Sequence, residues 1–87
     1  MPREEIFVEI ENERAYQDKK WGFAFDDKNT INDWAAYIGI YTAKAVAMGI
    51  PAAEQRTQLL KVASLAIAAI ETFDRNGGQF ASRHYGR

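Results

Sequence analysis

The segment from Glu13 to Trp34 concentrates the side chains of this protein that can do chemistry: Arg14, Gln17, Asp18, Lys20 and Trp21, then Asp26, Asp27, Asn29, Thr30, Asn32 and Asp33. Acids, cations, amides and an indole set so close together make either the caps that tie two helices or the wall of a binding site. Both need many short-range hydrogen bonds outside regular structure. Lys20 and Trp21 are the ligand candidates of this stretch, because a cation beside an aromatic ring at a helix end can hold an anion and stack on a base. Thr30 and Asp33, spaced as a capping box, are read as structural together with Asp18. Tyr37 and Tyr41 stand one helical turn apart and extend the aromatic set, whereas Trp34 falls on an apolar seam and is read as core. Elsewhere the parts for catalysis are missing. There is no cysteine, and His84 is the one histidine and is assigned no role. Ser64 and Ser82 sit in no nucleophile motif, and Gly77-Gly78 lacks the strand and the lysine of a phosphate loop.

Helices must position these residues. Spacing predicts three main ones, over about 3–20, 30–48 and 52–75. In the first, Pro2 stands at the start, where a lost N–H costs little. Phe7, Ile10, Arg14, Gln17 and Trp21 recur at three- and four-residue steps, with Phe7 and Ile10 on one face and Glu5, Glu9 and Glu13 on another. Ile6 to Ile10 can also be read as a strand, but the flanking Glu and Arg residues are helix formers and no hairpin partner is near. Gly22 ends the helix, and a loop through Asp26, Asp27 and Lys28 leads to Thr30. Trp34, Ile38, Tyr41, Ala45 and Met48 then form a heptad-like seam. Gly49 stops the second helix and Pro51 opens the third at its first position. The third is apolar nearly all round from Val62 to Ile70, so it must be covered on more than one side. Asn76-Gly77-Gly78 supplies a left-handed cap, which leaves 79–87 as a turn or mobile tail. The expected fold is all-α: one helical domain over 1–87, a helical hairpin with an added N-terminal helix, completed as a bundle by a homodimer.

Composition narrows the class. A chain of 87 residues buries only roughly 60% of its unfolded surface, a second reason to expect a partner subunit. The longest apolar run, Val62 to Ile70, is broken by Ser64 and is about half of the roughly 20 residues that span a bilayer, so no membrane association is expected. Met1 to Glu5 carry charge where a signal peptide is apolar, and the lack of cysteine suits a reducing compartment, so a cytoplasmic protein is expected. Net charge is −1, but residues 1–33 hold five basic and nine acidic side chains while 34–87 hold six and three. The halves should attract one another. The basic end, Arg83, His84 and Arg87, is too short to make a nucleic-acid surface.

The run Glu13-Arg14-x-x-Gln17-Asp18-x-Lys20-Trp21-Gly22, followed by Asp33-Trp34 and two helices, resembles the MazG-like nucleotide pyrophosphohydrolase relatives, small all-α proteins many of which occur in phages and bacteria. The resemblance spans about Glu11 to Asp74. It implies a Glu-Glu-x-x-Glu cluster on the helix after the tryptophan and a Glu-x-x-Asp on the next, which together hold magnesium against a nucleoside triphosphate through hard oxygen ligands. Placed by Trp34, those positions hold Ile40, Tyr41 and Lys44, then Gln58 and Lys61; none is a carboxylate. The resemblance therefore implies a binding or interaction module that has lost its metal, with no cofactor. Lys44 and Lys61 would point into the cavity that magnesium occupies in active relatives. There they would either replace the metal structurally, each beside an acid drawn from Glu9, Glu13, Asp18 or Asp33, or hold a nucleotide or phosphate-like anion. Two alternatives stay open. Glu71-x-x-Asp74, with Glu9 and Glu13 from the first helix, can form a relocated Mg²⁺ site of a working pyrophosphohydrolase, and the chain can equally be a small phage-type regulator that binds a host protein through its helical surface.

Overall fold

The computed structural model describes residues 2–83, so His84 and Arg87 and the last part of the expected tail lie outside the described residues. Four helices follow in order: α1 (Arg3–Lys20), α2 (Gly22–Asp27), α3 (Ile31–Ala45) and α4 (Ala52–Arg75), with no strand among the described residues. The fold is all-α. The Ile6 to Ile10 run is helical, in keeping with Glu4 and Glu5 in the first turn of α1 and Lys19 and Lys20 in its last, charges that complement the helix dipole.

α4 is the axis of the molecule. α1, α2 and α3 all pack on it, and α1 and α3 do not pack on each other. The seam of α4 that meets them is built from small residues, Ser64, Ala68, Ala69 and Thr72, around Leu65. Small side chains let three helices approach one, and the Ser64 and Thr72 hydroxyls are satisfied within α4 by the carbonyls of Leu60 and Ala68 at 2.7 and 2.8 Å. Trp34 of α3 closes the core against Leu65, Ala68 and Ala69.

Where the elements differ from the sequence expectation, local physics gives the reason. The expected 22–29 loop contains α2, a six-residue helix too short to leave a periodic signal. Gly22, at φ +79°, makes the left-handed turn that separates it from α1. α3 ends at Ala45 instead of about 48. Trp34, Ile38, Tyr41 and Ala45 face inward, but Met48 lies in the following turn, 102% exposed. Pro51 occupies the cap of α4 and not its first turn. Phe7 is 57% exposed, and the residues α1 buries most deeply are the polar Arg14 and Gln17. The Asn76-Gly77-Gly78 end closes as a left-handed cap, with the Gly78 N–H donating to the Phe73 carbonyl at 2.9 Å. The chain then folds back, and Phe80 packs against Phe73 (5.2 Å between ring centres) and the core, so this part of the expected tail is docked.

Charge ties the halves. Acids of α1 and α2 meet cations of α4 in three pairs: Glu9–Arg56 at 2.7 Å, Glu13–Lys61 at 3.3 Å and Asp27–Arg75 at 2.6 Å. Each contributes little to stability where exposed, because solvent screens the attraction. Together they set the register of two polar helices on an apolar one. The Thr30–Asp33 capping box starts α3, with the Asp33 N–H donating to Thr30 Oγ1 at 3.1 Å and the Thr30 N–H to Asp33 Oδ2 at 2.9 Å.

Candidate functional site

Because α1 and α3 lean on α4 without meeting, a gap remains between them, and α2 closes one end of it. The gap is a cavity of about 240 Å³. Leu65 and Ala68 of α4 form its base, Trp34, Tyr37, Ile40 and Tyr41 of α3 one wall, and Trp21 and Phe25 the opposite side. The rings form a connected set. Trp21 stacks on Phe25 at 6.1 Å, Phe25 on Tyr37 at 6.3 Å, and Tyr37 meets Trp34 edge-on at 6.3 Å and 88°. Trp21 is 38% exposed and Ile40 51%, which marks the side on which the cavity opens. Burial, and next the Asp33 carboxylate, push the Tyr37 phenol up, so it remains a hydrogen-bond donor at neutral pH.

The polar part of the lining comes from Arg14, Gln17 and Asp26, all buried. Arg14 is fully engaged: Nη1 donates to Gln17 Oε1 at 3.1 Å, Nη2 to Asp18 Oδ1 at 2.9 Å and to Glu71 Oε1 at 2.8 Å, and Nε to the same Glu71 oxygen at 3.2 Å. Burial alone would lower this guanidinium, but its bonds to Glu71 and Asp18, with their charges, outweigh burial and hold it above its ordinary value. Asp26 goes the other way for a carboxylate. Burial pushes it up, Asp18 and Asp27 add to the push, and Arg14 and Arg75 oppose it.

Three lysines stand at the rim. Lys20 Nζ lies 4.9 Å from the centre of the Trp21 ring and 5.8 Å from that of Tyr16. Lys44 Nζ lies 4.8 Å from Tyr41, and Lys61 Nζ lies 5.9 Å from Tyr41 and 6.0 Å from Tyr16. The ammoniums and rings alternate along one edge, and two of those rings, Trp21 and Tyr41, are walls of the cavity. The structure thus gathers the four ligand candidates Lys20, Trp21, Lys44 and Lys61. The two inner lysines do not point into the cavity as expected. They come to it over Tyr41 from α3 and α4, and neither lines the cavity itself. Lys61 reaches Glu13, while Lys44 is exposed.

The four carboxylates of the relocated metal site are not brought together. Glu9 goes to Arg56, Glu13 to Lys61 and Glu71 to Arg14, and no three acidic, imidazole or thiol groups among the described residues are placed to hold a metal. Asp18 serves Arg14. Asp26, Gln17 and Phe25 were absent from the sequence candidates for ligand contact. For Arg14 and Gln17 the signal was present: two polar residues interrupt the stripe that runs from Ile10 to Trp21, and a polar residue on a buried stripe is a hydrogen-bonded core group. No helix among the described residues is long and apolar enough to cross a membrane. Comparison with known protein families, curated proteins and solved structures finds no match.

Proposed function

We propose that this protein is a nucleotide-binding module of MazG-like type that does not hydrolyse its ligand and needs no metal. The base enters the aromatic cavity, and the phosphates rest on Lys20, Lys44 and Lys61. One observation carries this reading: three ammoniums lie over rings that include two walls of a cavity, so an apolar slot for a flat ring and a cationic rim for an anion share one edge. At about 240 Å³ the cavity is smaller than the roughly 300–1,000 Å³ of sites that enclose a whole ligand, which suits a ring held inside with its charged end outside. Four of the five positions where the MazG-like pattern expects carboxylates favour this reading, and the fifth, Gln58, is not part of the cavity lining. Ile40, Tyr41, Lys44 and Lys61 come from two helices to this same rim.

The test is calorimetric titration with a nucleoside triphosphate, the matching nucleoside and inorganic phosphate, with and without Mg²⁺. The triphosphate should bind tightest, weaken with salt, and lose roughly fivefold in Lys44→Ala or Lys20→Ala, the size of a partly exposed charge contact. Binding indifferent to both lysines, or Mg²⁺-dependent release of pyrophosphate, would contradict it.

A homodimer is the second part of this proposal. The groove along α3 and α4 exposes Ile31, Val46 and Ile70 beside Phe80, the uncovered side of the apolar helix. Light scattering should give twice the chain mass at micromolar concentration and the single mass for Ile70→Asp. A wild-type monomer at millimolar concentration would remove the dimer.

A further inference from the structure

We propose that Asp26 selects the base, its carboxylate accepting the adjacent N1–H and N2–H of a guanine ring, so that the cavity is a guanine-nucleotide site. This rests on the nucleotide-binding function proposed above. Asp26 is only 7% exposed and lines the cavity, yet among the described residues no side chain or backbone N–H donates to its carboxylate. The guanidinium and the amide of the lining are spent on the protein. Arg14 is committed to Gln17, Asp18 and Glu71, and the Gln17 amide accepts from Arg14 and donates to Glu13 at 3.2 Å. Asp26 is left for a ligand as the acceptor, an ionisable group that when charged only accepts, beside donors from the rings of the wall: the Trp34 indole N–H, buried without a partner among the described residues, and the Tyr37 phenol.

Such a group discriminates among bases by counting donors. Guanine offers two neighbouring N–H groups in the plane of the ring, spaced for the two oxygens of one carboxylate. Hypoxanthine offers N1–H alone, adenine its N6 amino group, and xanthine sets a carbonyl oxygen where guanine has its amino group, against the carboxylate. The charge distribution favours one direction of entry. Arg14 and Asp26 are the charged groups of the lining, and Arg14 is neutralised from outside the cavity by Asp18 and Glu71, while Lys20, Lys44 and Lys61 stand at the rim, so the phosphates stay out and the donor edge meets Asp26. Burial, which pushes the Asp26 carboxyl up, also strengthens any hydrogen bond it receives by lowering the local dielectric.

The experiment is calorimetry of GTP, ITP, XTP and ATP on the wild-type protein and on Asp26→Asn. The wild type should bind GTP at least about tenfold tighter than ITP and ATP, the discrimination expected of a bidentate pair. In Asp26→Asn the amide presents one acceptor and one donor, which match the N1–H and O2 of xanthine, so the preference should move from GTP to XTP. A gain of XTP binding also reports that the variant is folded. Equal wild-type affinity for GTP, ITP and ATP would overturn the role of Asp26 and leave the nucleotide site standing. Loss of GTP without gain of XTP in a cooperatively melting variant would do the same. Failure of every nucleotide to bind removes both.

Discussion

Replacing Ala68 with leucine tests whether the cavity is usable space. The Ala68 methyl is buried on α4 and forms part of the cavity base, and leucine has nearly the helix propensity of alanine. Three added carbons, at about 0.8 kcal/mol per buried CH₂, offer about 2.4 kcal/mol. Fixing the leucine rotamer costs about 0.5–1 kcal/mol. The balance is a gain of about 1.5 kcal/mol, which in a domain of this size moves Tm up by roughly 6–12 °C. At a well-packed position the same change would cost about 1–3 kcal/mol through forced rotamers, so the sign of the effect distinguishes an open cavity from a filled core. The leucine would also occupy the place proposed for the base, and nucleotide affinity should fall more than about tenfold. Urea and thermal denaturation give the first quantity and calorimetric titration the second. A destabilised Ala68→Leu, or a stabilised one that binds nucleotide as before, refutes the reasoning.

Three further outcomes are expected. Thr30→Ala removes one half of the capping box at the start of α3 and should cost about 1 kcal/mol in urea denaturation with Thr30→Ser close to wild type; an unchanged midpoint would mean that the cap carries no stability. Gly39 lies inside α3 with nothing within 4 Å of an added Cβ, so Gly39→Ala should stabilise by about 0.5–1 kcal/mol and leave nucleotide affinity unchanged; destabilisation would place a neighbour against that face. Asp26 is held above the ordinary carboxylate range, first by burial and then by Asp18 and Asp27, against Arg14 and Arg75. With the folded value above the unfolded one, ionisation of Asp26 opposes folding once pH rises through the folded value. Asp26→Asn should therefore raise Tm at pH 7, with a gain that shrinks as pH falls and is gone below about 3.9. A gain independent of pH would show that the carboxyl is not perturbed.

What could be seen in the sequence depended on whether a residue acts through local spacing or through contacts across the chain. Thr30 and Asp33 lie three apart, and their mutual hydrogen bonds are fixed by that spacing alone. Trp34, Ile38, Tyr41 and Ala45 revealed the buried seam of α3 because side chains at those intervals share a face. Met48 continued the pattern in sequence but not in space, since the turn before Gly49 comes first. α2 left no periodicity, and with it Asp26 and Phe25 were hidden as cavity residues. The partners of Glu9, Glu13 and Glu71 were equally hidden, because each cation lies 47 to 57 positions away. A helical face bearing acids at four-residue steps looks the same whether it faces water, a metal or another helix's arginine. Spacing and resemblance point to Lys20, Lys44 and Lys61 as ligand candidates. Their shared edge depends on Tyr16 and Tyr41, whose rings bridge helices that do not touch.

The most direct test of the proposed nucleotide site is a titration of the ¹⁵N-labelled protein with GTP followed by backbone and indole N–H shifts. The largest changes should fall on Trp21, Phe25, Asp26, Tyr37 and Tyr41, with smaller ones at Lys20 and Lys44. Shifts confined to the α3–α4 groove around Ile31 and Ile70, or none at millimolar nucleotide, would contradict the account.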